Sequence, residues 1–410
     1  MATNMATATA TELPSSGRMP RKELTRVGIL MGSALLVFEI VRSGLANSLT
    51  DTNPLMAVGA DPGSAKASAA AARALVEQSQ RPSSSAVRVL VRNALRRDAT
   101  LTLAIELRAL DMDSAGDTQG AARLFSLSRM ISRRSLGTHT WLIQHAVKRG
   151  DVAEALAEYD LALRTSTAAP RLLFPVLAKA AANPELASPI VQTLDRPSDW
   201  REMFLDYAIA RPGSVQSIVA LFLKMRDRSF LKDKQIDRLL IGQLVKDGSF
   251  GPAERVELAF GPPIANGSLV RDPGFSEAQF HFPFGWTLIE AADIWAQRDR
   301  ASGLAYHGAS GGAGQIATQL LTLAPGSYRL VARNAEPAAD TAALPYWTVT
   351  CAGAQPRQIA LLNQSAGAGA MGDFAVPSGC SGQWLALNLR ASDRAEGQSG
   401  AIRSVTIQPR

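Results

Sequence analysis

The chain changes its hydrophobic pattern once, at about residue 251, and this change constrains the fold more than any other feature of the 410 residues. Over 65–250, apolar residues recur at every third and fourth position, which is typical of amphipathic helices. Beyond that point Gly, Pro, Ser and Thr become frequent, and short apolar–polar alternation predicts strands. The sequence therefore predicts a multidomain protein, with an α-helical domain over 65–250 followed by an antiparallel β-sandwich over 265–410.

Composition argues for folded domains and against nucleic-acid binding. Apolar residues make up 46% of the chain, which is enough for sizeable cores and too many for a mainly disordered protein. The net charge is +7, but the arginines are spread along the predicted helices and strands. Because nucleic-acid binding usually needs basic residues concentrated on one face, we expect no nucleic-acid partner.

The first 46 residues have the features of a membrane-targeting segment. Residues 1–26 are rich in Ala, Thr and Ser and predict a disordered cytoplasmic tail that ends in basic residues. Residues 27–46 have the length of a transmembrane helix, although Glu39 and Arg42 interrupt the apolar run. We predict a single-pass signal-anchor helix in the inner membrane, with a cytoplasmic N-terminus and a periplasmic body. The alternatives are a signal peptide cleaved near Ala46 and a buried helix of a cytosolic domain.

Two breaks in the helical region indicate a repeat. Gly116-Asp117 and Gly150-Asp151 lie about 34 residues apart, which is the period of tetratricopeptide repeats. The segment 150–163 (GDVAEALAEYDLAL) resembles the second helix of such a repeat, in which the small Ala155 allows close helix packing. The resemblance covers about 85–200 and implies a tetratricopeptide-like α-helical solenoid.

Such a solenoid implies a groove that docks protein partners. Trp141 and His145 are four residues apart on one predicted helix, so both side chains lie on the same side of it. They are our candidate residues for a groove that binds proteins of the cell envelope. The alternative is a packed helical spacer without a ligand, in which this pair is a half-buried aromatic ring beside a hydrogen-bonded histidine.

The last third of the chain predicts many short strands separated by turns. Clusters such as Pro325-Gly326 and Pro377-Ser378-Gly379 separate the apolar runs, as in a sandwich or jelly roll. The segment Leu321–Leu330 (LTLAPGSYRL) and a closing strand over 402–407 resemble the galactose-binding-like jelly roll of many carbohydrate-binding modules. The resemblance covers about 265–410 and implies an antiparallel β-sandwich, a fold that hosts many functions.

Alternation within the strands predicts which side chains face outward. In the run 384–389 the leucines share one face, so Trp384 and Asn388 lie on the other. An outward-facing Trp beside amide and guanidinium groups suits a sugar, because the ring stacks on the apolar face of a pyranose while the polar groups bind its hydroxyls. The candidate glycan-binding residues are Trp384, Asn388, Arg329, Arg333 and Tyr346. The alternative is that Trp384 is covered by a loop or by the helical domain.

The chain contains two cysteines, Cys351 and Cys380, and both lie in the predicted sandwich. In an exported β-domain, two cysteines near strand ends predict a disulfide bond. Closing a loop of this length would stabilise the fold by roughly 3–4 kcal/mol. Two free buried thiols in a cytosolic protein are the alternative.

No catalytic, cofactor or metal motif is apparent in the sequence. It contains no Gly-x-Ser-x-Gly elbow, Walker loop or dinucleotide fingerprint, and the histidines and cysteines lack zinc-site spacing. We therefore expect neither a cofactor nor a metal, and no enzymatic activity.

These observations lead to a hypothesis of function that combines both domains. We expect a membrane-anchored periplasmic protein that binds or assembles other molecules, with helical repeats that dock protein partners and a sandwich that binds glycan. Exopolysaccharide or other envelope polysaccharide assembly and export would use such a protein. The alternatives are a purely structural scaffold subunit of an envelope complex and a glycan-active enzyme.

Overall fold

The computed structural model describes residues 39–79, 81–211, 215–262, 268–276, 280–336, 343–367 and 369–410. Contacts divide the chain into two compact units, Met1–His145 and Ala146–Arg410. The first unit is helical where it is described, and the second contains helices followed by a β-sandwich. The predicted order, helices first and strands afterwards, is confirmed.

Short helices build the first unit. They are α1 (described over 39–49), α2 (Pro54–Ala60), α3 (Ala65–Ser79), α4 (Ser85–Arg97), α5 (Thr102–Ser114), α6 (Thr118–Ile131) and α7 (Leu136–Lys148), which continues into the second unit. Polar caps fix several helix starts, since the side chains of Asn53, Ser84 and Asp117 accept backbone N–H groups of α2, α4 and α6. Buried Val87 and Val91 of α4 pack in one apolar cluster with residues of α3 and α5.

The second unit begins with a further series of short helices. Its helices are α8 (Val152–Thr165), α9 (Ala169–Ala180), α10 (Pro184–Leu194), α11 (Trp200–Ile209), α12 (Val215–Lys224), α13 (Arg228–Asp233), α14 (Ile236–Lys246) and α15 (Phe250–Phe260). On α8, the predicted packing face is buried, because Ala155, Tyr159 and Ala162 are each less than a tenth exposed.

The two predicted repeat breaks form the same turn. Gly116 and Gly150 have φ angles of 91° and 73°, which glycine adopts without strain because it lacks a Cβ. In each turn the following aspartate, Asp117 or Asp151, donates its backbone N–H to the preceding helix and caps the next helix with its side chain. Helices α4, α6, α8, α10, α12 and α15 begin 31–35 residues apart, which brackets the 34-residue period. Assignment of these helices to the tetratricopeptide family stays a prediction.

The sandwich consists of two five-stranded antiparallel sheets in the described part of the chain. Its strands are β1 (Thr287–Leu288), β2 (Ile294–Asp299), β3 (Gly303–Gly308), β4 (Gly314–Leu321), β5 (Gly326–Asn334), β6 (Tyr346–Cys351), β7 (Arg357–Asn363), β8 (Ala370–Val376), β9 (Gln383–Leu389) and β10 (Gln398–Pro409). The first sheet has the order β1-β4-β9-β6-β7 and the second the order β2-β3-β10-β5-β8. The antiparallel sandwich is therefore confirmed as a fold.

The inner faces of the two sheets form one apolar core. Trp286 and Trp347 lie in it with their rings 6.1 Å apart, together with the alternate leucines of β9. Cys351 and Cys380 form the predicted disulfide bond. It joins the end of β6 to the segment before β9, and these two strands are neighbours in the first sheet.

Two parts of the sandwich differ from the sequence-based expectation. The alternating apolar residues of 279–288 predict a strand, but the described residues 280–288 are mainly turns, and only β1 pairs there. Pro283 lacks a backbone N–H for the ladder and Gly285 weakens a strand. Conversely, the sequence does not predict β8, since Gly372 and Asp373 are poor strand formers.

The predicted membrane helix lies mostly outside the described residues. Only 39–46 of the predicted span 27–46 are described, and they belong to α1. Among the residues that the structure describes, no helix combines the length and the apolar character needed to cross a bilayer. The signal-anchor helix stays a prediction.

Candidate functional site

The outer face of the first sheet carries the residues that alternation predicted to face outward. On β9, Leu385, Leu387 and Leu389 are buried in the core, which leaves Trp384 and Asn388 on the opposite side, each half-buried. The predicted facing of these five residues is confirmed. Their partners on the neighbouring strands decide what the outer face can bind.

Strand β6 places Tyr346 directly beside Asn388, and Thr348 lies two residues further along. The Asn388 side-chain amide donates to the Thr348 hydroxyl at 3.1 Å. The Arg390 guanidinium lies over the Tyr346 ring, 4.5 Å from its centroid, and donates to the Asn363 amide oxygen at 2.6 Å. We call these five residues, Tyr346, Thr348, Asn363, Asn388 and Arg390, the Tyr346 patch.

The chemistry of the Tyr346 patch is aromatic and hydrogen-bonding. Asn363 and Arg390 are exposed, and Tyr346, Thr348 and Asn388 are half-buried. A guanidinium group has five N–H donors, so Arg390 retains donors beyond its bond to Asn363. The Arg390 guanidinium lies over one face of the Tyr346 ring as a cation–π contact. The patch therefore offers one oriented ring, two amides, a hydroxyl and a guanidinium on a single sheet face.

Trp384 lies on the same face but at its other end, next to the helices. It lines a cavity of about 390 Å³ together with Phe250 of α15, the end of α14 with the turn that follows it (245–248), and the loop 352–354. The nearby backbone is tightly packed, because a Cβ at Gly382 would come within 2.5 Å of the Phe250 ring. Trp384 is thus partly covered by the helical region, which is the alternative that the sequence had left open.

Arg329 and Arg333 do not join Trp384 and Asn388. Both lie on β5, which belongs to the second sheet, so the five predicted residues do not form a single site. Arg329 is ion-paired with Asp373 of β8 at 2.6 Å. Alternation along a strand predicts the inward or outward direction of a side chain, but the partition of strands between two sheets depends on long-range pairing.

Another outward-facing aromatic residue, Trp295, was not among the predicted site residues. It is half-buried on β2 of the second sheet and stacks on His307 of β3, with 5.7 Å between the ring centroids. Alternation was the available signal, since Ile294 and Ala296 on either side of it are buried. Trp295 is thus an alternative platform on the other side of the sandwich.

The predicted docking pair, Trp141 and His145, lies in a packed environment. Trp141 is 9% exposed, and its indole N–H donates to Asp113 at 3.0 Å. The ring stacks with Phe125 and with His145 at centroid distances of 4.4 and 4.8 Å. This Trp therefore contributes to the core of the first unit instead of lining an open groove, because its ring and its polar atom are both occupied from within the chain.

Charged residues hold the sandwich against α14 and α15. His281 is buried between two carboxylates, with Nε2 3.2 Å from Asp237 and Nδ1 2.6 Å from Glu257. Hydrogen bonds from the imidazole to Asp237 and to Glu257 raise the pKa of His281 to about 9, so it is charged at neutral pH. Burial works to raise the pKa of Asp237, but the hydrogen bond and the charge of His281 hold it below its usual value. We call Asp237, Glu257 and His281 the junction clamp.

Asp111 and Asp113 of α5 are bound by residues of the first unit. Asp111 is bound by Arg88 and Arg108 at 2.9 and 2.6 Å, and Asp113 accepts the Trp141 N–H. Within the described ranges, no group of three or more His, Cys, Asp or Glu side chains has the arrangement of a metal site.

Comparison with known proteins gives weak similarities to glycan-related structures. No protein-family model and no curated protein matches the chain. The carbohydrate-binding module TmCBM61, solved with β-1,4-galactotriose, is 11% identical with a TM-score of 0.24, over 35% of this chain and 99% of its own. The enzymatically active domain of tailspike protein 4 of bacteriophage CBA120 is 16% identical with a TM-score of 0.22, over 36% of this chain and 21% of its own.

A third solved structure covers more of the chain but is less similar. It is a 4-O-methyl-α-glucuronidase with specificity for decorated arabinogalactans, 13% identical with a TM-score of 0.18, over 80% of this chain and 48% of its own. Similarities at this level do not assign a function or a ligand to the chain.

Proposed function

We propose that this chain is a non-enzymatic glycan-binding protein of the cell envelope, and that its sandwich holds the glycan on the Tyr346 patch. The observation that carries the proposal is the position of Tyr346 beside Asn388 and under Arg390 on one outer sheet face. In the wider proposal, an N-terminal anchor keeps the protein in the inner membrane and the body lies in the periplasm, where it serves polysaccharide assembly or export.

A sugar needs an aromatic ring and directional hydrogen bonds at the same place. The apolar face of a pyranose ring stacks on an aromatic side chain, and its hydroxyls bind side-chain amides and guanidinium groups. Asn363, Asn388 and Arg390 supply those groups around Tyr346. Because Arg390 already holds the ring and Asn363, little side-chain freedom is lost on binding, which favours affinity.

The same patch favours binding over catalysis. Glycoside hydrolysis generally uses two carboxyl groups on either side of the scissile bond. The five residues of the patch include none. The chemistry that they supply is recognition of hydroxyl groups, without a general acid or a nucleophile for bond cleavage.

Glycan-array binding of the purified protein and of matched variants tests the proposal. We expect Tyr346→Ala to weaken binding about fivefold, since an aromatic platform that stacks on a ligand ring contributes about 1 kcal/mol. Trp384→Ala should leave the affinity within about twofold because Trp384 lies beside the helices, and Trp295→Ala is the control for the second sheet. If Trp295→Ala abolishes binding and Tyr346→Ala does not, the site lies on the second sheet.

A structural scaffold is the second candidate, and the junction clamp is the observation that favours it. The clamp and the Phe250–Gly382 contact use sandwich surface for packing against helices of the same chain. Absence of binding to any glycan by the wild-type protein would support this scaffold function and contradict glycan recognition.

A further inference from the structure

Helices α4 and α5 of the first unit border a cavity of about 340 Å³. Its inner wall is aliphatic and includes Val87, Val91, Leu95 and Leu107. Its rim is formed by arginines at one-turn spacing on α4, namely Arg88, Arg92 and Arg96, together with Arg108 of α5. We call this cavity with its rim the arginine groove.

The arginine groove has more positive charge than the chain itself neutralises. Helix α4 contains four arginines and no acidic residue. Asp111 binds Arg88 and Arg108. Arg92 and Arg96 are exposed, and across the described ranges no carboxylate pairs with either of them.

Repulsion among these arginines destabilises α4, and an anionic ligand would remove that repulsion. Like charges four residues apart on a helix destabilise it by roughly 0.2–0.5 kcal/mol per pair, and α4 has two such pairs in the series Arg88, Arg92, Arg96. A carboxylate bound between Arg92 and Arg96 would replace this repulsion by charge-assisted hydrogen bonds, which are the stronger kind.

The geometry points to docking of an acidic, amphipathic segment of a partner protein in the arginine groove. Carboxylates of the segment bind Arg92 and Arg96, and its aliphatic side chains contact the wall near Leu95. An amphipathic helix binds in a groove by placing its apolar face against the groove wall, which leaves its flanking carboxylates beside the rim. The aliphatic wall favours a peptide over an anionic glycan, because aliphatic side chains offer a sugar neither an aromatic ring to stack on nor a hydrogen bond.

This inference is independent of glycan binding by the sandwich. The arginine groove lies in the first unit and the Tyr346 patch in the second. Loss of one function by substitution therefore leaves the other measurable in the same protein.

The test is a selection from a library of displayed random peptides on the purified full-length chain. We expect the enriched peptides to combine Asp or Glu with Leu, Ile or Val at helical spacing. A labelled selected peptide should bind Arg92→Gln/Arg96→Gln at least tenfold more weakly in fluorescence anisotropy. The matched control is Arg123→Gln/Arg171→Gln, which removes the same charge from exposed positions of α6 and α9 and should change the affinity less than twofold.

Three results would overturn the inference. The first is that the enriched peptides lack acidic residues. The second is that both double variants weaken peptide binding equally. The third is that a polyuronate such as alginate binds through Arg92 and Arg96 and displaces the peptide. Thermal unfolding of each variant accompanies the binding assay. Arg92→Gln/Arg96→Gln should not lower the transition temperature, because the double variant removes like-charge repulsion and neither arginine has a partner to lose among the described residues.

Discussion

The imidazole of His281 has a carboxylate at each ring nitrogen. This single residue therefore contributes much of the stability of the contact between the sandwich and helices α14 and α15. Replacing it by glutamine leaves Asp237 and Glu257 charged and buried without their cation. Removing one partner of a buried ion pair costs about 3–5 kcal/mol. We therefore expect His281→Gln to lower the free energy of unfolding by that amount in urea denaturation, whereas His307→Gln, which loses a ring contact with Trp295, should cost much less.

The same residue gives the junction a pH dependence with a definite sign. The folded-state pKa of His281 is about 9, above its ordinary value of 6.5. Its stabilisation is therefore fully present below pH 6.5 and is lost as the pH rises through about 9. The unfolding free energy of the wild-type protein should fall over this range, and the His281→Gln variant should lack this contribution. A wild-type stability that stays constant from pH 6.5 to 9 would contradict a charged His281 in the clamp.

For single residues, the sequence predicts the side of a strand on which a side chain lies better than it predicts which residues surround that side chain. The alternation around Trp384 and Asn388 correctly predicts the side of the strand on which each lies. It does not predict that α15 approaches one end of that face, where Phe250 lies near Trp384. Nor does it predict Arg390, which lies just beyond the end of β9, because its contact with Tyr346 depends on the pairing of β6 with β9.

Local signals predict the elements themselves well wherever the stop and start residues are explicit. Glycine with positive φ followed by a capping aspartate occurs at both predicted repeat breaks. Strand assignment is less complete, since β8 depends on pairing with β5 and not on its own residues. The distribution of strands between two sheets, which separates Arg329 from Tyr346, is a long-range property that no local pattern contains.

The capping aspartates allow a prediction for the helix pairs. Asp117 and Asp151 each accept a backbone N–H of the next helix, at 2.8 and 2.9 Å. Replacing such a cap by alanine costs about 1 kcal/mol, so Asp117→Ala and Asp151→Ala should each lower the unfolding free energy by about that amount. Asp117→Asn and Asp151→Asn are the controls and should retain most of the stability, since Asn caps nearly as well. Equal losses for Ala and Asn would show that charge, and not capping, is responsible.

At the scale of the whole molecule, the disulfide bond is relevant to the proposed cellular location of the protein. Cys351 and Cys380 are 29 residues apart and form the bond. Disulfides persist in oxidising compartments and are rare in the cytosol. The proposed periplasmic body and the bond therefore support each other, while neither depends on the residues of the Tyr346 patch.

This connection leads to a prediction that uses the full-length chain in a bacterial host. Maleimide–polyethylene glycol labelling should find both thiols blocked in the wild-type chain, and a reporter enzyme that is active only outside the cytoplasm should be active when fused after residue 60. Replacing the apolar run 27–38 by a polar sequence is the control and should yield free thiols and an inactive reporter. The disulfide bond stabilises the fold by roughly 3–4 kcal/mol. The control variant, which stays in the cytosol without the bond, should therefore also unfold at a lower urea concentration than the wild-type chain. Free thiols in the wild-type protein would favour a cytosolic location and contradict the envelope proposal.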